Sequence, residues 1–301
     1  MRILVLLALV LTGLFAGMIL MIAVLMISGT SMQQILDGGY INSEKVNLAR
    51  LVLLINHLTM FLLPALAWAW IYYRKKWLSG LSLDRGLSGL QALAGIFFLI
   101  MAYPIVSKSF EINQSWDLPA WMGEMEGQTA EMLKILLKMD HGGELLFNLL
   151  IIALIPGIGE ELIFRGIIQQ EIDRALKKPW LAVVFSSLIF SAIHFQFEGF
   201  LPRFLLGMIL GLLLMWTRNL WLPILVHAFN NGMQVVLAYF IPEMSDQELE
   251  ESVPVTWLAL VASVIVTALL GYWFHRRRAL PEIREEPEIA APGASDQNDT
   301  V

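Results

Sequence analysis

The chain of 301 residues contains no cysteine. That absence excludes a cysteine nucleophile, a structural disulfide, a thiolate-bound zinc site and a cysteine-held iron–sulfur cluster. Any metal would have to be held by His, Asp or Glu. Charge is scarce as well: 15% of residues are charged, against 57% hydrophobic ones, and the mean hydropathy is +0.66. Soluble domains hold about 45–50% apolar residues and about 25% charged ones, so an ordinary soluble fold is excluded. The net charge of −6 comes partly from the C-terminal tail, and no basic patch of the kind nucleic acid requires is present. Nucleic acid is therefore not an expected partner.

Long apolar runs are abundant. They cover about 3–27, 48–73, 89–107, 144–168, 180–198, 202–217, 220–240 and 255–274, each near the roughly 20 residues of a membrane crossing. The expected fold is all-α, a polytopic membrane helix bundle of about eight transmembrane helices over residues 1–278. The first run is too long for a signal-peptide core and lacks a small-x-small cleavage site. Residues 279–301, an acidic tail with few apolar residues, are expected to be disordered.

Basic residues follow every second run: Arg74, Lys75 and Lys76; Arg174, Lys177 and Lys178; Arg218; and His275 with Arg276, Arg277 and Arg278. The intervening segments carry acids such as Asp37, Glu44, Glu124 and Glu243. The positive-inside rule then places both termini, and the acidic tail, in the cytoplasm. Trp77, Trp180, Trp216, Trp221 and Trp273 near one set of ends, with Trp116, Trp121 and Trp257 near the other, suit an interfacial aromatic belt. The segment from Ser109 to Gly143 reads as an extracytoplasmic loop with room for an amphipathic helix lying on the membrane, a plain connector sooner than a lid.

Ionisable residues inside apolar spans are costly, about 2.5–3.5 kcal/mol each on insertion scales, and so mark function. The fourth run ends in Pro156-Gly157-Ile158-Gly159-Glu160-Glu161-Leu162-Ile163-Phe164-Arg165. Glu161 and Arg165, four residues apart, share a helix face and can pair, leaving Glu160 free to act on water. The fifth run carries Phe190-x-x-x-His194 and the seventh His227-x-x-x-Asn231. A carboxylate base, imidazoles and an amide donor are what peptide hydrolysis needs. On these boundaries His194 lies about 14 residues into an outward-running helix, deeper than Glu160 and His227.

The three motifs in this order resemble the CPBP family of intramembrane proteases, which includes the Rce1-type CaaX prenyl endopeptidases and bacteriocin-processing or immunity proteins. The likeness covers about residues 144–240, the expected protease core. It implies Glu160 and His194 as activators of the attacking water, His227 and Asn231 as oxyanion stabilisers, and Glu161 and Arg165 as supports. Zinc stays open, with Glu160, His194 and His227 as three ligands around an open position; metal-free water activation suits the same residues. The implied partner is a membrane-associated peptide or protein in the lipid bilayer, cleaved at a CaaX-type end, a leader or a membrane anchor. Two other functions compete: a non-proteolytic immunity or scaffold protein of the same ancestry, and a proton or cation transporter using the paired acids. Motif spacing selects Asn231 over its neighbour Asn230. His57, alone in the second run, reads as a packed or capped histidine, and Gly207-x-x-x-Gly211 as a close helix contact.

Overall fold

The computed structural model describes residues 1–31, 43–241 and 255–278. The expected tail at 279–301 and most of the acidic segments around Asp37 and Glu243 lie outside the described residues. The described residues are helical, with no strand among them. α1 is Arg2–Ser28, closed by Gly29 in the left-handed conformation at φ 65°. α2 covers residues 43–73, with the α-helical stretches Ser43–His57 and Leu63–Tyr73 joined through a π turn, Leu58–Leu62. α3 is Gly89–Gln114, capped by Ser88, and α4 is Ala120–Leu137. α5 runs over Gly142–Leu176 and contains two π turns, Leu149–Leu154 and Leu162–Ile168. α6 is Pro179–Ala192, α7 Phe200–Thr217, α8 Trp221–Phe240 and α9 Trp257–Arg276.

Among the described residues, six helical stretches are long and apolar enough to cross a membrane: α1, residues 45–80, α3, α5, α7 and α9. α6 is apolar but only 14 residues long. α8 has a crossing length of 20 residues, its hydropathy lowered by His227, Asn230, Asn231 and Gln234. Together they make the expected bundle of about eight, and the chain is an integral, multi-pass membrane protein. Only 11% of the most apolar window is buried in α1 and in α9, against 56% in α5. α5 is therefore the axis of the bundle, with its neighbours wrapped around it.

Several boundaries differ from the apolar runs: α2 starts at Ser43, and α3 continues to Gln114, so Ser109–Gln114 are helix rather than the start of the expected loop. α5 continues to Leu176, two turns beyond the fourth run, because Gln169–Leu176 is polar yet rich in good helix formers. α6 stops at Ala192, and Pro202 lies inside the first turn of α7, where its missing N–H costs nothing. Arg74, Lys177 and Arg218, which end α2, α5 and α7, all adopt positive φ; cationic side chains at helix C-termini also complement the dipole. These ends converge. Arg2 lies 3.5 Å from Glu171, Arg174 donates to the Tyr73 hydroxyl at 2.7 Å, and Arg218 is 4.0 Å from Asp173.

α4 forms in the segment where an amphipathic helix was expected. Its C-terminal Ile135, Leu136 and Leu137 are buried, packing against residues of α2 and α8 such as Val46, Ala49 and Val235. The expected close contact at Gly207 and Gly211 is present: a Cβ on Gly207 would meet Ser187 of α6 at 3.0 Å.

Candidate active site

Glu160 and Glu161 lie at the end of an α-helical stretch of α5, Ile155–Glu161, set between the two π turns. Two glycines just before them control how closely neighbours approach. A Cβ on Gly157 would meet the backbone nitrogen of Ala228 at 3.1 Å, so α8 presses against α5 beside His227. A Cβ on Gly159 would meet Phe61 Cβ at 3.1 Å, so α2 does the same on another side.

The adjacent carboxylates have different environments. Glu161 and Arg165 are both fully buried and joined, Nη1 to Oε1, at 2.7 Å. Arg165 also donates Nη2 to the Gly207 carbonyl at 3.1 Å, and its guanidinium stands 4.5 Å from the Phe190 ring centre. The same Glu161 oxygen bonds His227 Nδ1 at 2.8 Å. A carboxylate beside an arginine accepts, so His227 donates through Nδ1 and turns Nε2 elsewhere.

That direction is toward Glu160. Its Oε2 faces His227 Nε2 at 3.9 Å and His194 Nε2 at 4.0 Å. His194 Nδ1 is committed to the Phe190 carbonyl at 2.7 Å, which can only accept. Both imidazoles therefore present Nε2 to one carboxylate oxygen. Phe190 fixes them sterically, edge-on to His194 at 5.0 Å and to His227 at 5.8 Å between centroids. The three side chains come from α5, α8 and the turn after α6.

The apparent mismatch in depth disappears with the helix bounds. Because α5 runs on to Leu176, Glu160 sits far from its end, and because α6 stops at Ala192, His194 lies in a turn rather than on an outgoing helix. His194 is also the most open of the three, its side chain 27% exposed against 6% for Glu160 and 3% for His227.

Asn231 lies one turn beyond His227. It donates Nδ2 to the Ile152 carbonyl at 3.2 Å, a carbonyl within the first π turn of α5, and accepts from Asn230 Nδ2 at 3.2 Å. One amide N–H remains for a ligand. Sequence reasoning missed His57. It is not a packed histidine apart from the site: its Nδ1 is 3.9 Å from Glu160 Oε1, and this buried nitrogen makes no hydrogen bond.

Glu160, His194 and His227 supply the carboxylate and imidazole donors that zinc takes. Their separations of 3.9–4.0 Å are wider than the roughly 3.3 Å edge of a tetrahedron with bonds of about 2.0 Å. Among the described residues no three His, Asp or Glu are grouped as a metal centre. The donor types fit zinc; the spacing also lets one water molecule reach all three groups.

Residues 142–233, which hold α5, α6, α7 and α8 as far as residue 233, match the family described as Type II CAAX prenyl endopeptidase Rce1-like. This segment is Rce1-like. Over 106 residues the chain is 31% identical to the membrane-embedded CAAX protease MroQ of Staphylococcus aureus (strain USA300), covering 34% of this chain and 43% of that protein. Over 84 residues it is 32% identical to the uncharacterized protein YpbD of Bacillus subtilis (strain 168), covering 27% of this chain and 40% of that one. The chain thus spans less than half the length of the curated relatives it matches. No solved structure matches it. All the polar residues gathered around Glu160, except His57 of α2, lie inside the Rce1-like segment.

Proposed function

We propose that the protein is an intramembrane endopeptidase in which water, activated by Glu160 and His194, hydrolyses a peptide bond of a membrane-associated substrate. One observation carries this reading: among the described residues Glu160 has no direct hydrogen-bond partner, while its Oε2 faces the free Nε2 of two imidazoles at 3.9–4.0 Å. A buried carboxylate in that state is poised to receive a proton, and its twin Glu161 is already engaged. The Rce1-like segment and the likeness to a CAAX protease support the same chemistry.

In the reaction, the water oxygen bonds to the substrate carbonyl carbon as its proton passes to Glu160. The carbonyl π electrons move to oxygen, and the resulting oxyanion accepts a hydrogen bond from Asn231 Nδ2, beside the His227 ring that Glu161 holds through Nδ1–H. The C–N bond then breaks, and the proton held by Glu160 goes to the departing amine. Glu161 and Arg165 hold His227 in place.

Zinc is a separate proposal: Glu160, His194 and His227 would hold it, and it would supply Lewis acidity to a water bound there. Dialysis against a chelator tests it directly, with bound metal counted by mass spectrometry alongside the melting temperature. The basic helix ends favour an orientation with both termini in the cytoplasm, to be checked by labelling single cysteines placed at Arg74 and at Gly123. The candidate substrates are a CaaX-type end, a leader peptide or a membrane anchor.

The deciding experiment compares protein termini in membranes from cells carrying the wild-type chain and cells carrying Glu160→Gln at matched expression. A terminus made only by the wild type establishes proteolysis and identifies the substrate. Identical termini, with Glu160→Gln still complementing a deletion phenotype, would move the function to an immunity or scaffold role.

A further inference from the structure

His57 belongs to α2, outside the Rce1-like segment and outside the three motifs. Its surroundings are nevertheless tightly specified. It is the last residue of an α-helical stretch, followed at once by the π turn Leu58–Leu62. At that level α2 is gripped from two sides. A Cβ on Gly17 of α1 would meet the Thr59 hydroxyl, and one on Gly159 of α5 would meet Phe61 at 3.1 Å. The glycine that admits α2 directly precedes Glu160, so a close approach of the two helices coincides with the carboxylate.

The ring of His57 faces inward, its side chain 15% exposed, and stands 5.7 Å from the Phe61 ring. Most buried ring nitrogens have a partner, yet among the described residues His57 Nδ1 has none within hydrogen-bond distance. Its ion-pair contact is Glu160 Oε1, at 3.9 Å, a gap that a small movement or one water closes. Glu160 is therefore approached on both oxygens: Oε1 by His57, Oε2 by His194 and His227.

We propose that His57 is a positioning residue that holds Glu160 by Oε1, so that Oε2 stays turned toward His194, His227 and the reacting water. The inference rests on the endopeptidase reading of the site. A carboxylate without this hold can rotate about its terminal torsion, which is broad and roughly two-fold. Misplacement of a reacting group by about 1 Å costs on the order of a hundredfold in rate.

The proposal specifies an atom, and that makes it testable. Asparagine places its amide nitrogen near the position of Nδ1, glutamine near that of Nε2, and phenylalanine keeps the ring without a donor. The full chain is assayed in native membranes by the rate at which the wild-type-specific terminus appears, with protein amount and melting temperature measured in parallel. His57→Phe is expected to lower the rate by about a hundredfold, His57→Asn to recover most of it, and His57→Gln to stay low. Wild-type rates in His57→Phe, or equal losses in the asparagine and glutamine variants, would overturn the proposal. Should His57→Phe fail to accumulate, the contrast between asparagine and glutamine decides alone. A wild type indistinguishable from Glu160→Gln overturns the endopeptidase reading, and this inference with it. A cleaving wild type with the wrong order among His57 variants overturns this inference only.

Discussion

Arg165 Nη1 lies 2.7 Å from Glu161 Oε1, and neither side chain has any exposed surface. The pair does more than neutralise itself, since the same carboxylate oxygen also holds His227 and the same guanidinium ties α5 to α7 through the Gly207 carbonyl. Removing one partner of such a pair strands the other charge at a cost of about 3–5 kcal/mol. Arg165→Leu is expected to lose that much stability, read as an earlier thermal transition in detergent. Arg165→Lys should fare little better, because one ammonium cannot reproduce two diverging donors and a flat face over Phe190.

Glu160→Gln should behave in the opposite way. Glu160 is a buried carboxylate with no direct hydrogen bond among the described residues, so neutralising it removes a desolvated charge and leaves the fold as stable or more so. Turnover should fall by about 10²–10⁴, the usual contribution of a positioned proton acceptor. Stability and cleavage, measured on one preparation, should move apart.

Gly157→Ala should damage the site through the backbone. The new methyl would lie 3.1–3.2 Å from Ala228, and backbone at that contact cannot turn aside as a flexible side chain would. Overpacking of this kind costs about 1–3 kcal/mol. Because Ala228 follows His227, the displacement reaches the imidazole, and cleavage should fall further than the loss of folded protein explains. Comparing melting temperature with the cleavage rate per folded molecule checks this.

A second buried pair is distant from the chemistry and supplies a control. Arg50 of α2 is fully buried, donates to Glu144 at 2.9 Å and to the Lys138 carbonyl at 2.8 Å, and so ties α2 to the start of α5. Glu144 also accepts from the Asp140 backbone N–H at 2.6 Å. Glu144→Gln is expected to cost roughly 3 kcal/mol of stability, while cleavage per folded molecule stays near wild type. An equal loss in both quantities would show that this corner is coupled to Glu160.

The helix count and the polar set were legible because hydropathy and ionisable residues are the strongest signals a membrane chain carries. Glu160, Glu161, Arg165, His194 and His227 each interrupt an apolar run, and the structure brings them together. Less was visible where the signal depends on a partner from another helix. His57 has no polar neighbour at helical spacing, because its neighbour is on α5. Arg50 lies in an apolar stretch, and nothing local announces Glu144 as its counterpart. The end of α5 was misplaced for a related reason: residues 169–176 cease to be apolar but remain good helix formers, so the run of hydropathy and the run of helix end at different places. That difference of two turns, with the short α6, produced the false impression that His194 and Glu160 lie at different depths.

The brevity of α6 bears on the supply of water. Fourteen residues rise about 21 Å, against a hydrocarbon core of about 30 Å. Such hydrophobic mismatch is relieved by thinning of the surrounding lipid, and the polar residues His194, Gln196 and Glu198 follow directly beyond the helix end. The bilayer beside α6 should therefore carry a dimple, with headgroups and hydration drawn down to the level of His194. The hydrolytic water would then come from this puckered interface, without a pore through the bundle.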